Sequence, residues 1–296
     1  TVYYTFYDMG IDYINTDRPE VCAGFFDDFG NKNFQIGQRR TAVGGVTGTK
    51  RLDKTTRDFR GFQNDKLQLT EGIDVYTPTY RNDGGKGKVK NVIYLIGDGM
   101  GLSQIVAAFY ANKGLTTLQM KYMGLQQNNA LDAFTTDSAA GGSALATGER
   151  HDNRHISMSS EGEPYPSLSD FFHDRGMPVG VLTLGNVADA TPTAFYGHSV
   201  ERDNADELTR CLMDGRVDLL CGSGIREFTR RSDGVDLIGE LKKQYDFVRS
   251  VDEINARKGK VICIDETMDD AAEQANLTLL ADATKASIAK LLSLIH

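Results

Sequence analysis

The chain has 296 residues, of which 40% are hydrophobic, and its formal net charge at pH 7 is −8. This length and composition allow one large buried core, so a single main domain is the default expectation. The acidic balance offers no basic field for nucleic acid, and no apolar run approaches the roughly 20 residues that a membrane-spanning helix needs.

The first ninety residues are the hardest to interpret. They are rich in Tyr, Asp, Gly and Thr, and the glycines and lysines at 82–88 indicate a turn or linker. We therefore predict an N-terminal extension or arm over residues 1–90 and the main domain over residues 91–296. The arm could pack on a partner subunit or extend the domain's own sheet, and the sequence leaves both open.

Residues 91–101 predict a strand, a tight turn and the start of a helix. The apolar run 91–96 is typical of a buried parallel strand, and a helical pattern follows over 102–112. Asp98, in the glycine-rich turn, would then lie at the carboxyl end of the strand, where α/β sheets place their sites. A dinucleotide site is disfavoured, because the carboxylate would repel a pyrophosphate and the Gly-x-Gly-x-x-Gly spacing is not met. Two roles remain for Asp98, binding a cation or capping the helix.

A carboxylate and a hydroxyl then stand side by side at the start of a helix of small residues. A strand predicted over 130–135 leads to Asp137 and Ser138, and the helix is predicted over 138–147. The N–H groups at such a helix start favour an anion such as phosphate. A serine hydroxyl needs a base or a metal to become a good nucleophile, and no Gly-x-Ser-x-Gly motif surrounds Ser138. The pattern therefore favours activation by a metal.

A third polar segment follows the apolar strand predicted over 179–184. Asp189 and Thr191 lie on the strand-to-helix turn, where their oxygens could bind a hard cation such as Mg²⁺. Thr191 before Pro192 also has the pattern of a helix N-cap, and the two roles are compatible. Arg202 would lie about three helical turns further on, where its planar fork suits two phosphate oxygens. The usual alternative for such an arginine is a solvated surface position.

Strand and helix patterns alternate along the rest of the chain. This alternation predicts an α/β fold, a sandwich with a largely parallel central sheet flanked by helices. Further strands are predicted over 217–221 and 260–264, and further helices over 167–175, 205–213, 237–244 and 282–292.

The cysteines and histidines give weaker signals. No Cys-x-x-Cys spacing is present, which argues against a thiolate zinc site. Cys211 and Cys221 could form a disulfide or remain buried free thiols. His151 and His155 fit a solvated polar loop, although one of them could approach a metal. His198 fits a packed or hydrogen-bonded position on a helix.

Together, the three polar segments resemble those of the alkaline phosphatases in residue type, spacing and order. The most specific element is the stretch 136–148, and the Asp-Ala-Thr-Pro element with its downstream arginine is specific in combination. The resemblance extends over about 91–292. It implies a three-layer α/β sandwich and hydrolysis of phosphate monoesters through a phosphoserine at Ser138. It also implies that Ser138 is a metal ligand.

The resemblance implies roles for the other residues as well. Asp98 would bridge a zinc ion and a magnesium ion, while Asp189 and Thr191 would bind the magnesium. Arg202 would clamp the phosphate, with Asp137 orienting it. The implied cofactors are two Zn²⁺ ions and one Mg²⁺ ion.

One part of the family's pattern has no counterpart in this sequence. The family takes most zinc ligands from its second half, as a Glu-x4-Asp-x3-His element, an Asp-His pair and a later histidine. After Arg202 this chain has no such spacing, and its one histidine there is His296. We therefore expect a truncated or incompletely represented member that holds the nucleophile half of a site.

Two alternatives to a phosphomonoesterase stay open. One is a catalytically silent fragment or binding module that keeps the fold without a complete zinc site. The other is a phosphodiesterase or sulfatase of the same superfamily, which a serine at the nucleophile position disfavours.

The resemblance also bears on partners and location. It implies small-molecule phosphate monoesters as substrates, a homodimer, and a periplasmic or extracellular location. The sequence begins at Thr1 without a signal peptide, as a mature form or a chain without its leader would.

Overall fold

A computed structural model describes residues 89–112, 114–120, 124–269 and 278–295 of the chain. Contacts between residues divide the chain into two compact units, Thr1–Leu125 and Gln126–His296. Residues 1–88, with the predicted arm and Cys22, lie outside the described residues. The domain boundary at residue 90 stays a prediction.

The first unit contains helix α1, Leu102–Asn112, and a 3₁₀ turn over Thr116–Gln119. The helix prediction is confirmed, but the strand predicted over 91–96 is wrong. That run has no strand conformation, and Val92, Ile93 and Leu95 are 60%, 60% and 75% exposed. Apolar, β-rich composition makes a strand only where a neighbouring strand satisfies the backbone hydrogen bonds, and composition does not reveal that neighbour.

The second unit is built on a sheet of four parallel strands. The strands are β1 (Gly180–Asn186), β2 (Leu219–Ser223), β3 (Tyr245–Val248) and β4 (Lys260–Ile264), and their order in the sheet is β1-β2-β4-β3. Every pairing between them is parallel. The strands predicted over 179–184, 217–221 and 260–264 are confirmed, whereas the four-residue β3 was not predicted. The prediction of a largely parallel central sheet is confirmed.

The strand predicted over 130–135 is also wrong, because its backbone bonds to a loop instead of to a strand. The N–H of Leu131 donates to the carbonyl of His151 at 2.8 Å. The Arg150 guanidinium donates to the carbonyl of Ala130 at 3.0 Å, and the Asn153 amide donates to the carbonyl of Thr135 at 3.0 Å. These bonds hold residues 130–135 against the loop that follows the next helix.

Seven α-helices are described in the second unit. The prediction for α2 is confirmed at both ends, while three predicted helices are shorter and the last one is longer. They are α2 (Ser138–Thr147), α3 (Leu168–His173), α4 (Ala190–Thr193), α5 (Ala205–Arg210), α6 (Arg226–Thr229), α7 (Leu237–Leu241) and α8 (Leu279–Ser293). The described 3₁₀ segments are Cys211–Asp214, Val251–Ala256 and Glu266–Met268.

Successive side chains of the central strands enter two different cores. On one face Leu220 and Ile262 pack with Leu237 and Leu241 of α7. On the other face the neighbouring residues Leu219, Cys221, Val261 and Cys263 pack with Ile254 and with Ala283 of α8. A sheet with a core and helices on both faces is the predicted three-layer sandwich.

Cys211 and Cys221 pack with different cores. Cys221 lies in the second core, where its strand position pairs with that of Cys263, whereas Cys211 packs against the first core. All three are free thiols. The disulfide alternative for Cys211 and Cys221 is therefore wrong, and the free-thiol alternative is correct. Among the described residues, no helix combines the length and apolar character needed to cross a membrane.

We expect Ile262→Ala to lower the free energy of unfolding by about 2–5 kcal/mol, because it leaves a cavity at the centre of the sheet. Ile262 is completely buried. Leu292→Ala is the matched control, since Leu292 on α8 is 42% exposed, and surface changes usually stay within about 0.5 kcal/mol. Urea unfolding followed by circular dichroism measures both, and equal losses would contradict the packing described here.

Candidate active site

The start of α2 is set by the Asp137 side chain. Asp137 is the N-cap in an extended conformation, and its Oδ1 accepts the N–H of Ala140 at 2.9 Å. This cap places Ser138 at the first helical position, beside N–H groups that the helix itself does not use. The half-buried Ser138 therefore presents its hydroxyl next to an anion-binding helix end.

Arg202 reaches this helix end from a distant part of the sequence. Its Nη1 donates to Ser138 Oγ at 3.0 Å and to Asp137 Oδ2 at 3.2 Å. About a quarter of each charged side chain is exposed, 25% for Arg202 and 27% for Asp137. The structure thus brings the Arg202 guanidinium to a hydroxyl and a carboxylate that lie 64 and 65 residues away in the sequence.

Arg202 does not lie on the helix that we predicted for it. α4 ends at Thr193, and Arg202 lies in the turn before α5. An antiparallel bridge holds this segment, since Ile156 N–H donates to Ser199 O at 2.7 Å and Ser199 N–H donates to Ile156 O at 3.1 Å. The bridge ties the Arg202 segment to the loop that follows α2.

That loop supplies two residues that the sequence did not reveal. Asn153 Oδ1 accepts the N–H of Asp137 at 2.7 Å, and the N–H of Asn153 donates to Asp132 Oδ1 at 2.9 Å. The N–H of Arg154 donates to Asp137 Oδ2 at 3.1 Å. The two bonds to Asp137 hold it against this loop. Polarity of the loop was the available signal, and it does not single out either residue.

Asp189 and Thr191 lie where β1 leads into α4, and α4 packs directly on α2. Asp189, not Thr191, is the N-cap, because the helix begins at Ala190, two residues earlier than the pattern indicated. A Cβ placed on Gly142 would lie only 3.2 Å from Thr191 Cα, so glycine allows the two helices to meet. Asp189 is exposed, and its Oδ2 lies 3.8 Å from the position of a Cβ on Gly185. Its carboxylate thus lies over the end of β1.

The donor set at this edge has a definite chemical character. A carboxylate and a hydroxyl are hard oxygen ligands of the kind that Mg²⁺ takes, usually together with water. Asp98, the further predicted ligand, lies in the first unit, exposed in the turn before α1. Within the described ranges, no three His, Cys, Asp or Glu residues group together so as to hold a metal.

His151 is buried rather than solvated, so that prediction is wrong. It is 1% exposed, its Nδ1 pairs with Met158 O at 2.8 Å, and its Nε2 pairs with Thr147 Oγ1 at 2.8 Å. Burial lowers the pKa of His151 below its usual 6.5. The neutral ring holds the start of the loop that carries Asn153 and Arg154. His198 makes the predicted hydrogen bond, with Nδ1 3.1 Å from Ser157 O, but it does not lie on a helix.

Comparison with known proteins identifies relatives of one kind. The sequence model described as alkaline phosphatase matches residues 89–263. Streptomycin-6-phosphate phosphatase of Streptomyces griseus is 36% identical over 163 residues, which cover 51% of this chain and 36% of that protein. Alkaline phosphatase 4 of Bacillus subtilis is 32% identical over 162 residues, covering 49% and 35%. The chain thus spans about a third of the length of these curated relatives.

Solved structures give the same result. The alkaline phosphatase of the Antarctic bacterium TAB5 is 26% identical, with a TM-score of 0.62 over 66% of this chain and 59% of that one. A variant of that enzyme solved with Mg bound is also 26% identical, with a TM-score of 0.61 over 66% and 58%.

We expect the stability of the second unit to fall as the pH drops below about 6.5, because unfolded His151 takes up a proton more readily than folded His151. The stabilisation is complete above that pH, and the slope contributed by one group is at most about 1.4 kcal/mol per pH unit. Urea unfolding at several pH values between 5 and 7.5 measures it. His151→Gln should flatten the slope relative to that of the wild-type protein. An unchanged slope in the His151 variant would contradict this assignment.

Proposed function

The chain belongs to the alkaline phosphatase family, and we propose that it hydrolyses phosphate monoesters with Ser138 as the nucleophile. The observation that supports this most directly is the contact of Arg202 Nη1 with both Ser138 Oγ and Asp137 Oδ2. A guanidinium on the nucleophile's own oxygen lies where the phosphoryl group of an ester would have to bind. Arginine binds phosphate through two parallel N–H bonds, which fixes the orientation of the ester.

The proposed reaction has two steps. Ser138 Oγ attacks phosphorus in line, the bond from phosphorus to the ester oxygen breaks, and the alcohol leaves with a proton, so that a phosphoserine is formed. Water then attacks the same phosphorus, the Ser138 bond breaks, and inorganic phosphate is released. Arg202 and the N–H groups of α2 bind the phosphoryl oxygens, while Asp137 holds the guanidinium in place.

The chain's own residues indicate which metals would fit. Asp189 and Thr191 suit Mg²⁺, as hard oxygen ligands on helix α4, which packs against α2. The roles of Asp98 and of Ser138 as metal ligands stay predictions, and zinc usually takes four ligands. Two Zn²⁺ ions therefore stay a prediction that needs ligands beyond the described residues. Bound metal would favour the ionised serine hydroxyl and stabilise the charge of the departing oxygen.

The substrate class follows from the chemical groups that the proposed site offers. The groups around Ser138 are suited to bind the phosphoryl end of an ester, so we propose small-molecule phosphate monoesters as substrates. Assembly as a homodimer and a periplasmic or extracellular location stay predictions.

We expect Ser138→Ala to abolish ester hydrolysis, and the wild-type protein to acquire one phosphoryl group on the peptide that contains Ser138. p-Nitrophenyl phosphate turnover and peptide mass spectrometry after an acid quench measure the two effects. Ser293→Ala is the control, since Ser293 is an exposed serine at the end of α8. Phosphate binding without any Ser138-dependent turnover would favour the catalytically silent alternative.

Mg²⁺ binding is expected to weaken at least about tenfold in Asp189→Asn and in Thr191→Val, because each change removes one oxygen ligand. Titration calorimetry with MgCl₂ after EDTA treatment measures the affinity without relying on activity. Asp174→Asn, at the end of α3, removes a carboxylate elsewhere and should leave Mg²⁺ affinity unchanged. Equal affinity in all four proteins would remove Asp189 and Thr191 from the proposed site.

A further inference from the structure

Two carboxylates flank Arg202 in the sequence, as Glu201 and Asp203. Asp203 Oδ1 lies 3.9 Å from Arg202 Nε, within the range of an ion pair. Either carboxylate could therefore draw the Arg202 guanidinium away from Ser138. Both would also repel an incoming phosphate dianion. These two carboxylates must therefore be restrained by another group if Arg202 is to bind phosphate.

Arg154 contacts both carboxylates at once. Its Nε donates to Glu201 Oε2 at 2.9 Å and its Nη2 donates to Glu201 Oε1 at 2.5 Å, which is the bidentate geometry. The same Nη2 also pairs with Asp203 Oδ2. Hydrogen bonds from Arg154 lower the pKa of Glu201 to about 2. A three-member network with a bidentate pair is a more effective restraint than a single exposed ion pair.

The backbone of Arg154 contacts the same site. Its N–H donates to Asp137 Oδ2, the oxygen that also accepts Arg202 Nη1. Its φ of 71° lies in the left-handed region, where glycine is the unstrained choice. A long side chain in this conformation is uncommon and points to a role for the side chain.

We propose that Arg154 is a positioning residue for phosphate binding. Its side chain holds Glu201 and Asp203, so that the Arg202 guanidinium stays on Ser138 and Asp137, and it offsets their negative charge beside the bound phosphoryl group. This inference rests on the proposed function, in which Arg202 binds the phosphoryl group.

Arg154→Gly isolates the contribution of the side chain. Glycine accepts the left-handed conformation and keeps the backbone N–H that donates to Asp137. The Kd for inorganic phosphate should rise about fivefold, and the KM for p-nitrophenyl phosphate should rise with it while kcat stays within about twofold. Arg257→Ala is the control, because it removes an exposed arginine paired with Glu253 at 3.1 Å. Thermal unfolding of each variant checks that it is folded.

A second background separates positioning from a merely structural role. In Glu201→Gln/Asp203→Asn the carboxylates are absent, so Arg154→Gly should no longer weaken phosphate binding. The amide introduced at position 201 retains an oxygen for the bond that Asp203 N–H now makes to Glu201 Oε1 at 3.0 Å. A fivefold loss that persists in this background overturns the proposal.

The order of the Arg202 side chain gives a readout that does not need phosphate. In protein labelled with ¹⁵N-arginine, the Arg202 Nε–H resonance is assigned by its loss in Arg202→Lys. This resonance should broaden or shift in Arg154→Gly and recover in the triple variant Arg154→Gly/Glu201→Gln/Asp203→Asn. An unchanged resonance in Arg154→Gly overturns the positioning role, even if phosphate binds. If wild-type protein binds no phosphate, the proposed function fails, while this resonance still decides whether Arg154 positions Arg202.

Discussion

The Asp137 carboxylate joins three segments of the chain that meet at Ser138. One oxygen caps α2, and the other accepts both the N–H of Arg154 and the guanidinium of Arg202. The position of Ser138, the course of the loop after α2 and the orientation of the Arg202 side chain therefore depend on one side chain. A single carboxylate can do this because it has several acceptor positions, and each of its partners is an N–H donor.

The sheet and its two cores supply the rigid support for this arrangement. β1 ends at Asn186, and the chain passes directly into α4, whose close contact with α2 requires Gly142. The antiparallel bridge between Ile156 and Ser199 then brings the Arg202 segment alongside the loop that carries Arg154. Site residues on loops are thus held by elements whose own positions are set by buried apolar packing.

Sequence patterns identified the elements with strong local signals and failed where pairing decided the outcome. The helix of small residues after Asp137 was predicted at both ends, because an N-cap and a glycine in the left-handed conformation at Gly148 mark its limits. The strands predicted over 91–96 and 130–135 were wrong, since a strand exists only through its neighbour. His151 was predicted to be solvated, yet the packing of the loop buries it between Met158 and Thr147.

The sequence by itself determined the family, the parallel α/β architecture and the identity of Ser138, Asp137, Arg202, Asp189 and Thr191 as candidates, because these rest on residue types at local spacings. Only the tertiary structure decided which of them meet, that Arg202 lies in a turn and not on a helix, and that Arg154 and Asn153 belong to the same network. Those contacts join residues up to 65 positions apart. Local periodicity carries no information about such distances, which are set by how helices and loops pack around the sheet.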